Sequence, residues 1–148
     1  MTLKVFVDTN VLLYARDDRA PAKQEAARRW LVALGDRSAG VVSPQILGEL
    51  HNAILRRKVA LSPEEARSIS EALAPWCHGT TDLDLIAAAW HVRTATGYQW
   101  WDCVILASAI DAGCRYLLSE DYQHGHTVEG TMIISPFRVE PDDMLAQH

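Results

Sequence analysis

The sequence predicts an α/β domain, a parallel sheet with helices on both faces. Three observations predict it. Short apolar runs, Val5-Phe6-Val7 and Tyr116-Leu117-Leu118 among them, read as strands buried on both faces. Longer stretches with apolar residues at helical spacing lie between such runs. Acids stand just past the carboxyl ends of two strands, Asp8 and Asp121, where open α/β sheets bind ligands.

The elements follow in order. Val5-Phe6-Val7 forms the first strand, and Val11-Leu12-Leu13-Tyr14-Ala15 suits a helix after it. Residues 21–34 form a helix: Pro21 fits its first turn, Ala26, Ala27, Trp30, Leu31 and Leu34 make its apolar stripe, and Gly35 ends it. Residues 40–43 are a short second strand. Ser43-Pro44 then caps a helix over residues 44–57. Ser62 and Glu65 form a capping box on a helix reaching Trp76. Residues 77–80 are expected as a minor strand, residues 82–96 as a helix stopped by Gly97, and residues 100–112 as a helix stopped by Gly113. Residues 114–118 form a buried strand, 122–130 a loop and 131–134 the last strand. A polar, loose tail is expected after Arg138.

A chain of 148 residues is most simply one domain. At that size it buries roughly 70% of the surface its unfolded form exposes, so a core needs no staples. Cys77, Cys103 and Cys114 are odd in number and show no C-x-x-C spacing, which points to a reducing compartment. The opening residues show no basic, apolar leader, and no apolar run approaches the roughly 18 residues of a membrane span. A soluble, cytoplasmic protein with no membrane partner is expected. The net charge of −5 is unlike that of a basic, sequence-blind nucleic-acid binder. Metal bound among the acids would still let such a chain handle a polyanion.

Four acids carry the chemistry. Asp8 and Asp121 end strands. Glu49 borders the face made by Ile46, Leu47, Leu50, Ala53 and Ile54. Asp102 opens a helix that is apolar nearly all round and points inward with Ile105, Leu106 and Ala109. Each has an ordinary reading: a helix cap for Asp8, a pairing with Arg56 or Arg57 for Glu49, helix-dipole stabilisation for Asp102, a turn for Asp121. Taken together they form an acidic cluster that a parallel sheet gathers at one edge. Clustered carboxylates repel one another unless cations bind between them. An all-oxygen set favours Mg²⁺ or Mn²⁺, and such a cage suits metal-assisted displacement at a phosphodiester.

On these residues the chain resembles the PIN domains, specifically the VapC-type toxin ribonucleases of bacterial toxin–antitoxin pairs. The matching stretches are Val7-Asp8-Thr9-Asn10-Val11-Leu12-Leu13-Tyr14-Ala15, then Glu49, Trp101-Asp102-Cys103-Val104-Ile105-Leu106-Ala107-Ser108-Ala109, Tyr116 to Gly125, and Ile133-Ile134-Ser135-Pro136-Phe137. The resemblance implies a three-layer α/β/α sandwich with a central parallel sheet of about four to five strands. The domain would span residues 1–138, with residues 139–148 as the tail. The implied activity is Mg²⁺- or Mn²⁺-dependent endoribonuclease cleavage by a metal-activated water. Asp8, Glu49, Asp102 and Asp121 would be both the catalytic acids and the metal ligands. Thr9, Asn10 and Ser119 would orient those carboxylates by hydrogen bonds. The implied partners are an RNA substrate, a cognate antitoxin whose terminal segment blocks the acidic crevice, and a second copy in a homodimer. Many family members carry a further acid two residues after the fourth; here Gln123 stands there, which leaves a second metal in question.

The other signals carry less. Arg56-Arg57-Lys58 is a solvated helix end or a phosphate-contacting RNA patch. Trp100-Trp101 suits core or dimer packing. Cys77-His78 with His124 and His126 is too irregularly spaced for a zinc site. An aspartyl phosphatase would want an acid two residues after Asp8, where Asn10 stands. A phospho-accepting signalling domain has no use for Glu49. A catalytically silent PIN-like module that only binds an antitoxin-type partner remains the alternative from another class.

Overall fold

The computed structural model describes residues 3–146; the chain's first two residues and the last two of its tail lie outside the described residues. The chain runs β1 (Val5–Val7), α1 (Thr9–Tyr14), α2 (Pro21–Asp36), β2 (Gly40–Val41), α3 (Pro44–Leu55), α4 (Pro63–Leu73), α5 (Leu83–Thr96), α6 (Trp100–Asp111), β3 (Tyr116–Leu118), β4 (Thr127–Val128), β5 (Thr131–Ile134) and α7 (Pro141–Leu145). The sheet order is β2-β1-β3-β5-β4, with helices on both sides. Strands β2, β1, β3 and β5 are parallel; β4 pairs antiparallel with β5 at the edge. The expected α/β/α sandwich is therefore present, with five strands, one of them reversed.

The core forms because β1 and β3 are apolar on both faces. Val5, Phe6, Val7, Leu117 and Leu118 are essentially inaccessible. Residues 103–109 of α6 are buried on every side; all but Ser108 are apolar, and Ser108 Oγ is satisfied by donating to Val104 O. The chain leaves β1 for β2 on one side, then returns to β3 on the other. The strand order thus reverses between the carboxyl ends of β1 and β3, the place where such sheets leave a crevice. Asp8 and Ser119 immediately follow those two strands.

Several expectations about local structure need correction. Gly35 does not end α2, which runs to Asp36; the turn is made at Ser38, whose φ is +51°. The minor strand over residues 77–80 reduces to a single parallel bridge, Val42 to Cys77. Helix α4 stops at Leu73, and a 3-10 turn, Ala74–Trp76, takes over because Pro75 cannot extend the ladder. The segment expected as a loop contains β4, a two-residue strand too short to show alternation. The tail is not loose within the described residues. Pro141 and Leu145 of α7 are buried, Trp30 Nε1 donates to Val139 O at 3.1 Å, and Arg29 pairs with Glu140.

Helix α3 ends two residues before the expected Arg57. Arg57 N donates to Ile54 O and Lys58 N to Ala53 O, at 2.9 and 3.0 Å, the paired bonds of a Schellman cap. Arg57 therefore takes φ +59°, in the left-handed region where glycine is the usual occupant.

Gly40 marks a close approach. A Cβ there would lie 2.4 Å from Cε3 and Cζ3 of Trp76, a ring that packs directly on the β2 backbone. Gly40→Ala is expected to displace Trp76 and cost about 1–3 kcal/mol in urea denaturation. An unchanged midpoint would mean that the ring moves aside freely.

Candidate active site

Asp8 follows β1, and its N–H still donates to Leu118 O at 3.1 Å, so it sits at the sheet's edge. Its Oδ1 accepts from Thr9 N at 2.7 Å. Asp8 thus fulfils the helix-cap reading and remains only 4% exposed. Ser119 Oγ donates to Asp8 Oδ2 at 2.7 Å across the gap between β1 and β3.

Asn10 ties the crevice together. Its Nδ2 faces Asp8 Oδ2 at 3.2 Å, Ser119 Oγ at 3.1 Å and Asp121 Oδ2 at 3.1 Å, and its Oδ1 accepts from Glu120 N at 3.4 Å. Asp121 N donates to Ser119 Oγ at 3.1 Å. Asp121 itself is exposed, while Glu120 turns away to pair with Lys23.

Glu49 comes from α3. Thr9 Oγ1 donates to Glu49 Oε2 and Gln45 Nε2 to Glu49 Oε1, both at 2.9 Å. The pairing with Arg56 or Arg57 is not formed. Asp102, in the first turn of α6, is half-buried, and its backbone carbonyl accepts from Tyr122 Oη at 2.9 Å.

The electrostatics place the four acids in one field. Burial pushes Asp8 up to about 7; the bonds from Ser119 and Thr9 pull the other way, and the charges of Asp121 and Glu49 add to the rise. Burial also raises Asp102, again with Asp121 and Glu49 adding. The buried phenol of Tyr122 is raised by desolvation and then by Asp8, Asp102, Glu49 and Asp121. One tyrosine thus feels all four carboxylates.

The donor set is carboxylate and hydroxyl oxygen, which fits a hard divalent cation in chemistry. The spacing is looser than a closed cage: among the described residues no three His, Cys, Asp or Glu side chains gather closely enough to hold an ion as they stand. Asp8 and Asp121 meet instead through the amide of Asn10. The same finding leaves Cys77, His78, His124 and His126 without a zinc-like grouping. His124 Nδ1 accepts from Ser135 N, and His126 bonds to Tyr98 Oη.

Tyr122 and Gln45 are the neighbours that sequence reasoning missed. Gln45 lies four residues before Glu49 on a helix, a spacing that alone would have found it. Tyr122 is an aromatic directly after the strand-end acid, locked edge-on against Tyr98 with centroids 5.2 Å apart. Of the basic run, Lys58 borders a cavity of about 260 Å³ that reaches Asn10 and Asp121. Arg57 lines a neighbouring groove, and Arg56 borders neither. A larger depression, about 960 Å³ between α2 and α7, contains none of the four acids.

Comparison with known proteins agrees with this architecture. No curated protein matches the chain. Solved structures of the same fold include a toxin–antitoxin complex from Klebsiella pneumoniae, at 14% identity and TM-score 0.62 over 92% of this chain and 100% of that one. A VapBC pair from Rickettsia felis bound to promoter DNA matches at 13% identity and TM-score 0.60, over 90% and 98%. The sarcin–ricin-loop-cleaving VapC toxin of Mycobacterium tuberculosis matches at 19% identity and TM-score 0.62, over 85% and 98%. The PIN domain family model matches residues 5–129, through both strand ends and all four acids, and the chain belongs to that family.

Proposed function

We propose that this PIN domain is a Mg²⁺- or Mn²⁺-dependent endoribonuclease, the toxin of a type II toxin–antitoxin pair, acting in the cytoplasm. One observation carries the reading: Asp8 is a buried carboxylate that feels the charges of Glu49 and Asp121 and has no cationic side chain among its hydrogen-bond partners. Such a group is stable as an anion only if a cation is brought to it. The structural neighbours, a toxin–antitoxin complex, a VapBC pair and a toxin that cleaves the sarcin–ricin loop, support the antitoxin partner and the RNA substrate. A homodimer completes the proposal.

Asp8, Asp102 and Asp121 would hold the metal, with Glu49 either joining them or positioning the attacking water. When bound, the cation would lower the pKa of water and offset charge on the phosphodiester. The chain's own residues set the geometry. Ser119 and the Thr9 amide fix the rotamer of Asp8. Thr9 Oγ1 and Gln45 fix Glu49 by one bond to each oxygen, so that carboxylate can orient a water without swinging. Asn10 holds Asp121 against the β1 end.

One observation favours the silent antitoxin-binding module instead: no three acids converge among the described residues. Calorimetric titration with Mg²⁺ and Mn²⁺, alongside RNA cleavage with and without EDTA, decides between them. Metal binding and EDTA-sensitive cleavage are expected. Cleavage that persists in EDTA would overturn the metal mechanism, and failure to bind either ion would favour the silent module.

A further inference from the structure

Beside the acidic crevice lies its electrostatic opposite. A groove of about 820 Å³, between the α1–α2 loop and the α3–α4 turn, is lined by Arg16, Arg19, Arg28, Arg57 and Lys58. The chain has 14 lysines and arginines against 19 acids, yet this groove takes five of the former and two of the latter, Asp17 and Asp18. Asp17 and the Arg19 guanidinium neutralise each other at 2.9 and 3.1 Å, and Asp18 accepts from Gln24 at 2.9 Å, so Arg16, Arg28, Arg57 and Lys58 face one remaining acid. In a chain of net charge −5, such a concentration of positive charge is local.

The groove is continuous with the candidate active site. The cavity that reaches Asn10 and Asp121 shares Asp17, Arg19, Lys58 and Val59 with it. Cationic wall and acidic crevice therefore form one surface. Arg57 adds a second argument. It holds a left-handed backbone position that glycine would occupy without strain. Among the described residues the Arg57 guanidinium makes no ion pair, which leaves it open to a polyanion.

We propose that this groove seats the RNA backbone to one side of the phosphate being cut. The inference rests on the ribonuclease reading and extends it to how the substrate is held. Four carboxylates repel a phosphodiester at the point of cleavage, so flanking phosphates need cations at short range to keep the strand in place. The groove supplies them on the α3–α4 side of the crevice.

The test uses the full chain carrying Asp8→Asn, a labelled mixed-sequence single-stranded RNA in Mg²⁺, and fluorescence anisotropy over a salt series. Arg57→Gly is expected to melt no lower than its parent and to bind RNA on the order of fivefold more weakly, with the salt slope reduced by about 0.7. The triple change Arg16→Ala, Arg57→Gly, Lys58→Ala should lower that slope by about 2. Arg37→Ala, on an exposed cation outside the groove, is the control. If the groove variants match the control while the unmodified protein still cuts RNA, the ribonuclease reading stands and this inference falls. If the unmodified protein neither cuts nor binds RNA, both fall. If polyglutamate displaces RNA from the groove at equal charge, the groove is an acidic-protein surface and the inference is overturned.

Discussion

Asp8→Asn is expected to abolish RNA cleavage and, at pH 8 without divalent cation, to raise the melting temperature of the protein. On the proposed metal mechanism, loss of activity follows from removing a carboxylate charge at the centre of the crevice. The gain in stability follows from the same burial that suits the residue to a metal. Asp8 is displaced upward from 3.8 to about 7, so the folded state binds a proton there that the unfolded state releases. Below about pH 4 the carboxyl is protonated in both states and the burial costs nothing. As pH rises toward 7 a penalty accumulates, and above 7 it is constant. Its ceiling is on the order of 4 kcal/mol.

Asparagine removes the charge but presents an NH2 group to Ser119 and Asn10, so the net gain is smaller, about 1–3 kcal/mol. Thermal melts at pH 8 and pH 4 check the sign: the variant should be the more stable protein at pH 8 and lose that advantage at pH 4. Mg²⁺ should raise the melting temperature of the unmodified protein and leave Asp8→Asn nearly unmoved. A variant that melts lower than its parent at pH 8 would mean that Ser119 and Thr9 fully satisfy the anion. A variant that still cuts RNA would remove Asp8 from the chemistry.

The strand cores were legible because burial on both faces leaves an unbroken apolar run. The apolar runs of β1 and β3, with acids just past their carboxyl ends, mark the crevice in the sequence itself. Asp8 and Ser119 meet across it because β1 and β3 are neighbours, which alternation of strands and helices makes natural. The second strand, expected over residues 40–43, is present as the two-residue β2, whereas β4 was not legible, since a period of two needs more than two residues to show. Strand β4 is defined by its pairing with β5, a tertiary fact. The folded tail was missed for a similar reason. Its anchor is the indole N–H of Trp30, a long-range bond that local polarity masks. At the site, residue types gave the four acids, while the place of Tyr122 depends on its bond to α6 and the bonds through Asn10 on the pairing of β1 with β3. The spacing of the acids could be read only from the fold.

Asn10→Asp is expected to cost more stability than any other change of similar size near the crevice. The two side chains differ little in shape. The asparagine amide shares its two protons among Asp8, Ser119 and Asp121 and closes the gap between β1 and β3. A carboxylate puts lone pairs and a like charge in that place, beside an Asp8 that burial already makes hard to ionise. At pH 8 in chelator the loss should be about 3–5 kcal/mol in urea denaturation. Asn10→Ala removes the same bonds without adding charge and should cost about 1–2 kcal/mol. The difference between the two variants therefore reports the cost of the added charge, in repulsion and in desolvation. Lowering the pH protonates the crowded carboxyls and should narrow that difference, and so should Mg²⁺. Equal costs for the two variants would mean that Asn10 acts only as a hydrogen-bond strut and that the acids are screened from one another. A cost that shrinks with Mg²⁺, together with tighter Mg²⁺ binding by Asn10→Asp, would mean that the amide does in the metal-free fold what a cation does in the working one: it keeps Asp8 and Asp121 from driving the ends of β1 and β3 apart.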